Sequence, residues 1–370
     1  MNFHDRRDDI CRRMQEEKLE LLIGLHDGAH FIETPNPVMV MSGFKSLGAA
    51  AVLLRPDGQS DLIVTPAWDI ERAAECFPEG RAVGAQDIVE EVLARAGDPR
   101  RTAAIGIAGL SFLPSQIASR VTAALPQARP ADAVVFDAAR TKTADEIANA
   151  REAARIAERG YQHLLAIARP GMSEDELAVT LKWHMKTLGA DDNFLMLCAG
   201  PHNRAVQPST GRRLQAGDII LAEITPSYRG QLAQICRTVV VGPASDELTR
   251  KYALVVHAMD QGIAAATPGV AMAEVCRAIN TVLEAEGYGE YCHPPHIRRR
   301  GHGLGFASVR PGDVALDNTT VLESDMVFMI HPNQYLPETG YLLCGEPVVM
   351  TPRGAEPLTA QKASLAVVAA

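Results

Sequence analysis

Three side chains carry the chemistry visible in this sequence: His302, Glu223 and His331. His302 sits in Arg300-Gly301-His302-Gly303-Leu304-Gly305. Its flanking glycines leave the imidazole unshielded and allow the backbone to approach a ligand closely. Glu223 and His331 each interrupt an apolar run, Ile219-Ile220-Leu221-Ala222-Glu223-Ile224 and Met326-Val327-Phe328-Met329-Ile330-His331. A buried carboxylate or imidazole is costly unless it is paired, hydrogen-bonded or metal-bound, so the three read as parts of one site. Imidazole suits acid/base work near neutral pH, and a carboxylate beside it can set its tautomer or activate water. The same three groups are also the ligand types of a facial metal triad. A structural role stays open for each: a histidine bonded across a sheet, a carboxylate facing a buried arginine, a histidine closing a strand.

Rigid elements must hold these groups. Ile10, Met14, Leu19 and Leu22 recur at helical spacing among many charges, predicting a surface helix over 5–22. Residues 21–25 read as a short buried strand. Residues 49–54, the turn Arg55-Pro56-Asp57-Gly58 and residues 61–64 read as strand, turn, strand. Helices are expected over 67–76 and 87–96 and a strand over 103–108, which together make an α/β domain ending near residue 138. A long helix is predicted over 143–168, with Thr143 as N-cap and Glu146 three residues on. Ser173-Glu174-Asp175-Glu176 opens a second helix by the same capping logic. Strands then dominate 193–241, helices return at 245–266 and 271–287, and strands dominate again over 303–350. The order helix, helix, strands thus occurs twice, with Asp218 and Asp325 opening the two apolar strands at corresponding places.

Bulk properties narrow the function. The 370 residues suffice for two domains. A net charge of -9 disfavours a nucleic-acid binder. The one dense basic run, Arg298-Arg299-Arg300, reads equally as a solvated loop or as a grip on an anionic substrate. Seven scattered cysteines without a CxxC pair fit a reducing cytoplasm. Met1-Asn2-Phe3-His4-Asp5-Arg6-Arg7 does not begin a signal peptide, and no apolar stretch is long enough for a bilayer. A soluble cytoplasmic enzyme with a small-molecule substrate is expected.

The order of these elements resembles the superfamily of creatinase, Xaa-Pro peptidases and methionine aminopeptidases, over nearly the whole chain. Arg140-Thr141-Lys142-Thr143-Ala144-Asp145-Glu146-Ile147, Gly217-Asp218-Ile219-Ile220-Leu221, Arg237-Thr238 and Gly301-His302-Gly303-Leu304-Gly305 carry the resemblance. It implies a creatinase-type N-terminal α/β domain over 1–138. An α+β pita-bread catalytic domain, two ααβ halves around a central site, follows over 139–370. It also implies a homodimer in which the N-terminal domain of one subunit reaches the other's active-site mouth.

The resemblance further implies where metal ligands would stand, and the residues depart from that pattern. The family's peptidases hold two metal ions with two aspartates, one histidine and two glutamates. The corresponding places here carry Glu223, Gln234, His302, His331 and the neighbourhood of Cys344-Gly345, with Glu346 adjacent. Gln234 cannot bridge two cations as an anion. Creatinase works without metal, but its general-base histidine falls near Gln207 here, and its substrate-binding glutamates fall at Cys236 and His331. Creatine is therefore a poor substrate for this chain.

The reading that follows is a metal-independent, cofactor-free hydrolase acting on a C–N bond of a small polar metabolite. His302, His331 and Glu223 are expected to be catalytic. Gln234, His202, Arg204, Glu346 and Cys236 are expected to bind substrate. Two rival readings remain: a mononuclear iron or zinc enzyme using Glu223, His302 and His331, and a catalytically silent protein that binds a peptide or partner.

Overall fold

The computed structural model describes residues 4–97, 104–307 and 309–370. The chain divides into two compact units, Met1–Asp145 with Phe306–Val309 and Glu146–Gly305 with Arg310–Ala370.

In the first unit, the buried run Leu21–His26 forms the central strand β1. It pairs antiparallel with β2 (Ala50–Leu54), which pairs antiparallel with β3 (Ser60–Val64). With β4 (Arg81–Gly84), β5 (Ile105–Ala108) and β6 (Arg129–Pro130), they make a six-stranded sheet ordered β4-β3-β2-β1-β5-β6. Helices α1 (His4–Glu16), α2 (Pro37–Ser42), α3 (Ile70–Cys76), α4 (Ile88–Ala96), α5 (Ser115–Ala124) and α6 (Asp132–Ala138) complete the unit. The α/β domain is as expected. The helix predicted over 5–22 is shorter, because Lys18 adopts a φ of 53° and turns the chain. Leu22 enters β1, and α1 is the expected surface helix, burying Ile10 and Met14 while Asp5, Asp8, Arg12 and Glu16 stay exposed. Of the strand predicted over 103–108, Ala103 lies outside the described residues, as do Met1, Asn2 and Phe3.

The second unit repeats one plan. Helices α7 (Ala144–Ile167) and α8 (Glu174–Thr187) precede strands β7 (Asp192–Gly200), β8 (Ile219–Tyr228), β9 (Gln231–Leu232) and β10 (Ile235–Val241). Helices α9 (Asp246–Ala265) and α10 (Met272–Ala285) precede β11 (Gly301–Gly303), β12 (Val327–Ile330), β13 (Gln334–Leu336), β14 (Gly340–Leu342), β15 (Glu346–Thr351), β16 (Gly354–Pro357) and β17 (Ala366–Val368). The predicted capping box forms: Ser173 Oγ accepts from Glu176 N at 3.1 Å, and Glu176 Oε2 accepts from Ser173 N at 2.7 Å. One sheet runs β17-β10-β8-β7, the other β11-β12-β15-β16, and β13 pairs with β14. Strands dominate the expected 303–350 span only from Val327: the described residues within 304–326 are irregular apart from isolated bridges. Among the described residues no helix is long and apolar enough to cross a membrane.

The two halves are sewn together between β10 and the approach to β15. Cys236 and Gly345 exchange backbone hydrogen bonds at 3.3 and 3.2 Å. Thr238 Oγ1 donates to Leu343 O at 2.9 Å and accepts from Leu343 N at 2.8 Å. Arg237, wholly buried, donates to Gly345 O at 2.7 Å and to Glu346 Oε1 at 2.8 Å.

Close backbone packing requires the glycines around His302. A Cβ on Gly301 would stand 1.9 Å from Met329 O, and one on Gly303 would stand 2.2 Å from Arg310 O. Both obstacles are backbone, which cannot swing aside. Gly301→Ala is therefore expected to destabilise the protein by about 1–3 kcal/mol or more, read as a lower denaturation midpoint with an unchanged denaturant slope.

Candidate active site

The two sheets bring Glu223, Gln234, His302 and His331 together. Glu223 lies on β8, opposite Cys236 of β10. Alternation along β8 puts Thr225 on the same face as Glu223, and Gln234, just ahead of β10, meets both. Its Nε2 donates to Glu223 Oε1 at 2.6 Å and to Thr225 Oγ1 at 3.1 Å. Its Oε1 faces His302 Nε2 at 2.9 Å, and His302 Nδ1 faces Gly303 O at 3.0 Å. His331 follows β12, its backbone N donating to Arg300 O at 2.8 Å. The two imidazoles are 5.2 Å apart between ring centroids and tilted by 59°.

Hydrogen-bond accounting leaves two proton arrangements for this chain. In the first, both ring nitrogens of His302 donate, to Gln234 Oε1 and Gly303 O, and the ring is an imidazolium. Glu223, accepting from the amide, is its carboxylate counterpart. A second complete arrangement exists with the same net charge. Reversing the Gln234 amide and moving one proton from His302 to Glu223 leaves every group in the chain with a partner. The chain Glu223–Gln234–His302 is thus a carboxylate and an imidazole coupled through an amide.

His331 is the complement. It is 8% exposed, and among the described residues its Nδ1 has no hydrogen-bond partner. Burial pushes its pKa well below the usual histidine value, and the nearby His302, Arg299 and Arg300 push the same way. A neutral imidazole with an uncommitted nitrogen is a base awaiting a proton.

The residues expected to bind substrate are engaged within the protein or lie apart from the two histidines. Gln234, 1% exposed, has its amide fully engaged within the protein and is not available to bind substrate. Cys236 is 0% exposed, and burial, then the charge of Glu223, raise its thiol far above the ordinary range. It is a packed sulfur on which Asn333 Nδ2 rests at 3.8 Å. Glu346 is taken up by the seam, accepting from Arg237 at 2.8 Å, Thr359 Oγ1 at 2.6 Å and Ala363 N at 3.0 Å. The buried arginine considered as a partner for Glu223 exists, but it belongs to Glu346. His202 and Arg204 are exposed. His202 bonds Pro337 O at 2.9 Å and meets the Tyr335 ring edge-on, so its loop docks on the β13–β14 hairpin. Neither residue hydrogen-bonds or stacks against the two histidines.

Three nearby residues were not singled out from the sequence. Thr225 steadies the Gln234 amide, Asn333 lies between Cys236 and Cys344, and Tyr341 is close enough for Glu223 to help raise its phenol pKa after burial. Period-two spacing from Glu223 was the available signal for Thr225. Asn333 and Tyr341 depend on long-range packing.

The residues at the ligand positions implied by the resemblance do not fit a metal pair. His302 and Gln234 turn their donor atoms on each other, and Gln234 brings no charge. Among the described residues, no three His, Cys, Asp or Glu side chains are placed to hold a metal ion.

Comparison with known proteins gives the family context. Residues 148–352 match the model of metallopeptidase family M24. The chain is 30% identical over 221 residues to the uncharacterized peptidase YqhT of Bacillus subtilis, covering 59% of this chain and 62% of that peptidase. It is 26% identical over 355 residues to the Xaa-Pro dipeptidase of Pyrococcus furiosus, covering 93% and 98% of the two chains. The solved Xaa-Pro dipeptidase from Bacillus anthracis superposes with a TM-score of 0.85 at 23% identity, covering 99% of this chain and 100% of that one. The structural likeness supports the α/β plus pita-bread fold read from the sequence.

Two expectations follow. Truncating Glu346 to Ala leaves Arg237 buried without its partner, which costs about 3–5 kcal/mol; calorimetric unfolding of the variant checks this. His331 is neutral when folded but binds a proton when unfolded, near an ordinary pKa of about 6.5. The unfolded state therefore binds more protons below that pH, and stability is lost as pH falls through it. His331→Gln should flatten this acid-side loss in a series of melts from pH 8 to 5.

Proposed function

The chain belongs to metallopeptidase family M24, among the hydrolases of the creatinase and Xaa-Pro peptidase superfamily, and from that premise we propose that it hydrolyses a C–N bond of a small polar substrate without a metal centre. The observation that carries this reading is a buried His331 whose Nδ1 has no hydrogen-bond partner among the described residues, 5.2 Å between ring centroids from a His302 that is hydrogen-bonded through Gln234 to Glu223. His331 takes a proton from water. The water oxygen attacks the carbon of the C–N bond, that bond breaks, and His331 returns the proton to the leaving nitrogen. His302 keeps both ring nitrogens within the protein. It acts as the positive charge facing the oxyanion that develops in the attack, and Gln234 and Glu223 hold it there. His302 and Glu223 thus take part through charge and proton balance, and His331 does the direct acid/base work.

The donor set supports metal independence: an amide stands where the resemblance calls for a bridging carboxylate, and it is already spent on its neighbours. A cytoplasmic homodimer accompanies this reading, supported by the two-domain resemblance; light scattering at micromolar concentration reads the dimer directly.

The test is turnover on a panel of dipeptides, small amides and amidines after exhaustive chelation and elemental analysis. Activity is expected to persist in protein freed of manganese, cobalt, zinc and iron. An absolute requirement for any of these metals would sink the reading. His331→Gln should lower kcat by roughly two to four orders of magnitude, the usual range for a positioned acid or base. In the wild type, the acid limb of kcat/KM should fall below the ordinary histidine value, because His331 stays neutral to lower pH.

A further inference from the structure

The basic run at 298–300 is not used by the reaction proposed above, and Arg300 within it is unusual. It is 1% exposed. Its Nε donates to Asn280 Oδ1 of α10 at 2.7 Å. Its Nη1 donates to Gln334 Oε1 at 2.9 Å and to the carbonyls of Pro332 and Asn333 at 3.4 and 3.3 Å. All of these acceptors are neutral. Its Nη2 is buried without a hydrogen-bond partner, with only the weakly accepting Cys292 thiol in play beside it. Among the described residues no carboxylate pairs with this guanidinium. Arg237, just as deeply buried, has Glu346.

A buried cation without a counter-charge is costly. Beside Arg300 lies a cavity of about 220 Å³ whose wall includes Asn280, Cys292, Arg298, Arg299 and Arg300. Arg298 is exposed, and Arg299 is paired to Asp313 at 3.1 Å. Asp317 is the one acid on the wall, at an exposed position. The cavity holds a few heavy atoms, and guanidinium forks match the oxygens of a carboxylate or phosphate.

We propose that this cavity binds a small oxyanion, a carboxylate or a phosphate, which supplies the counter-charge that Arg300 lacks. The same guanidinium holds the carbonyls of Pro332 and Asn333, so an occupied cavity braces the segment directly after His331.

The test uses the full chain and two probes, inorganic phosphate and acetate, at constant ionic strength balanced with a bulky sulfonate. The thermal midpoint of the wild type should rise with the logarithm of probe concentration, and calorimetric titration should show one site per chain. Asn280→Asp builds a tethered carboxylate against Arg300 Nε. It should weaken probe binding by about tenfold or more and raise the midpoint in probe-free buffer. Arg298→Ala, at an exposed position that does not threaten folding, should weaken binding by about three- to tenfold. A wild type that responds no more to the probes than to the sulfonate overturns the proposal, and so does unchanged probe binding in both variants. A response to chloride equal to that for phosphate and acetate overturns the oxyanion assignment.

Discussion

One buried guanidinium holds the second unit in register. Arg237 reaches from β10 to Gly345 O and Glu346, and the backbone exchange between Cys236 and Gly345 lies directly beside it. Each half of the unit has its own helices and sheet, and a shared apolar core and the seam join them. The ion pair adds directional matching to that joint. It is expensive to bury and worth its cost only when every donor and acceptor is matched, which makes a slipped pairing far worse than the native one. Gln234 stands three residues before Arg237, and the strand carrying Glu346 pairs with β12, which leads into His331. The pair thus sits on the strands that carry the site, alongside the sheet pairing that positions them, although neither partner performs chemistry.

Much of this was legible in the chain. Capping at Ser173 and the alternation of helices and strands are local effects, encoded within a few residues. The polar interruptions at 223 and 331 marked the site because an apolar strand accepts a charged or titratable group only for a reason. What was not legible is how each group is satisfied. Gln234 was expected to face a substrate, but its amide is consumed by Glu223, Thr225 and His302. Glu346 was expected in the pocket, but it belongs to Arg237. Both outcomes turn on which of several carboxylates meets which donor, over separations of 11 to 109 residues along the chain. Periodicity carries no information at that range. The flanking glycines of His302 show a related limit: close approach was anticipated, and the approaching object is the protein's own backbone at Met329 and Arg310.

The chain belongs to a metallopeptidase family, and its residues depart from the ligand set that the resemblance implies. Gln234 and His331, at places where the resemblance implies acids, leave the site with less negative charge. What remains is one carboxyl group and one imidazole joined through an amide.

The amide link has a consequence for how the pocket responds to its contents. Its two hydrogen-bond arrangements differ by a proton carried from one sheet to the other, so the chain behaves as a reversible dipole spanning β8 and β11. A negatively charged visitor near His302 favours the charge-separated form, and a neutral one lowers that preference. Under the proposed hydrolase reading, the field at such an element is drawn partly by the molecule it meets. Such an element can serve substrates of differing charge with the same rigid backbone.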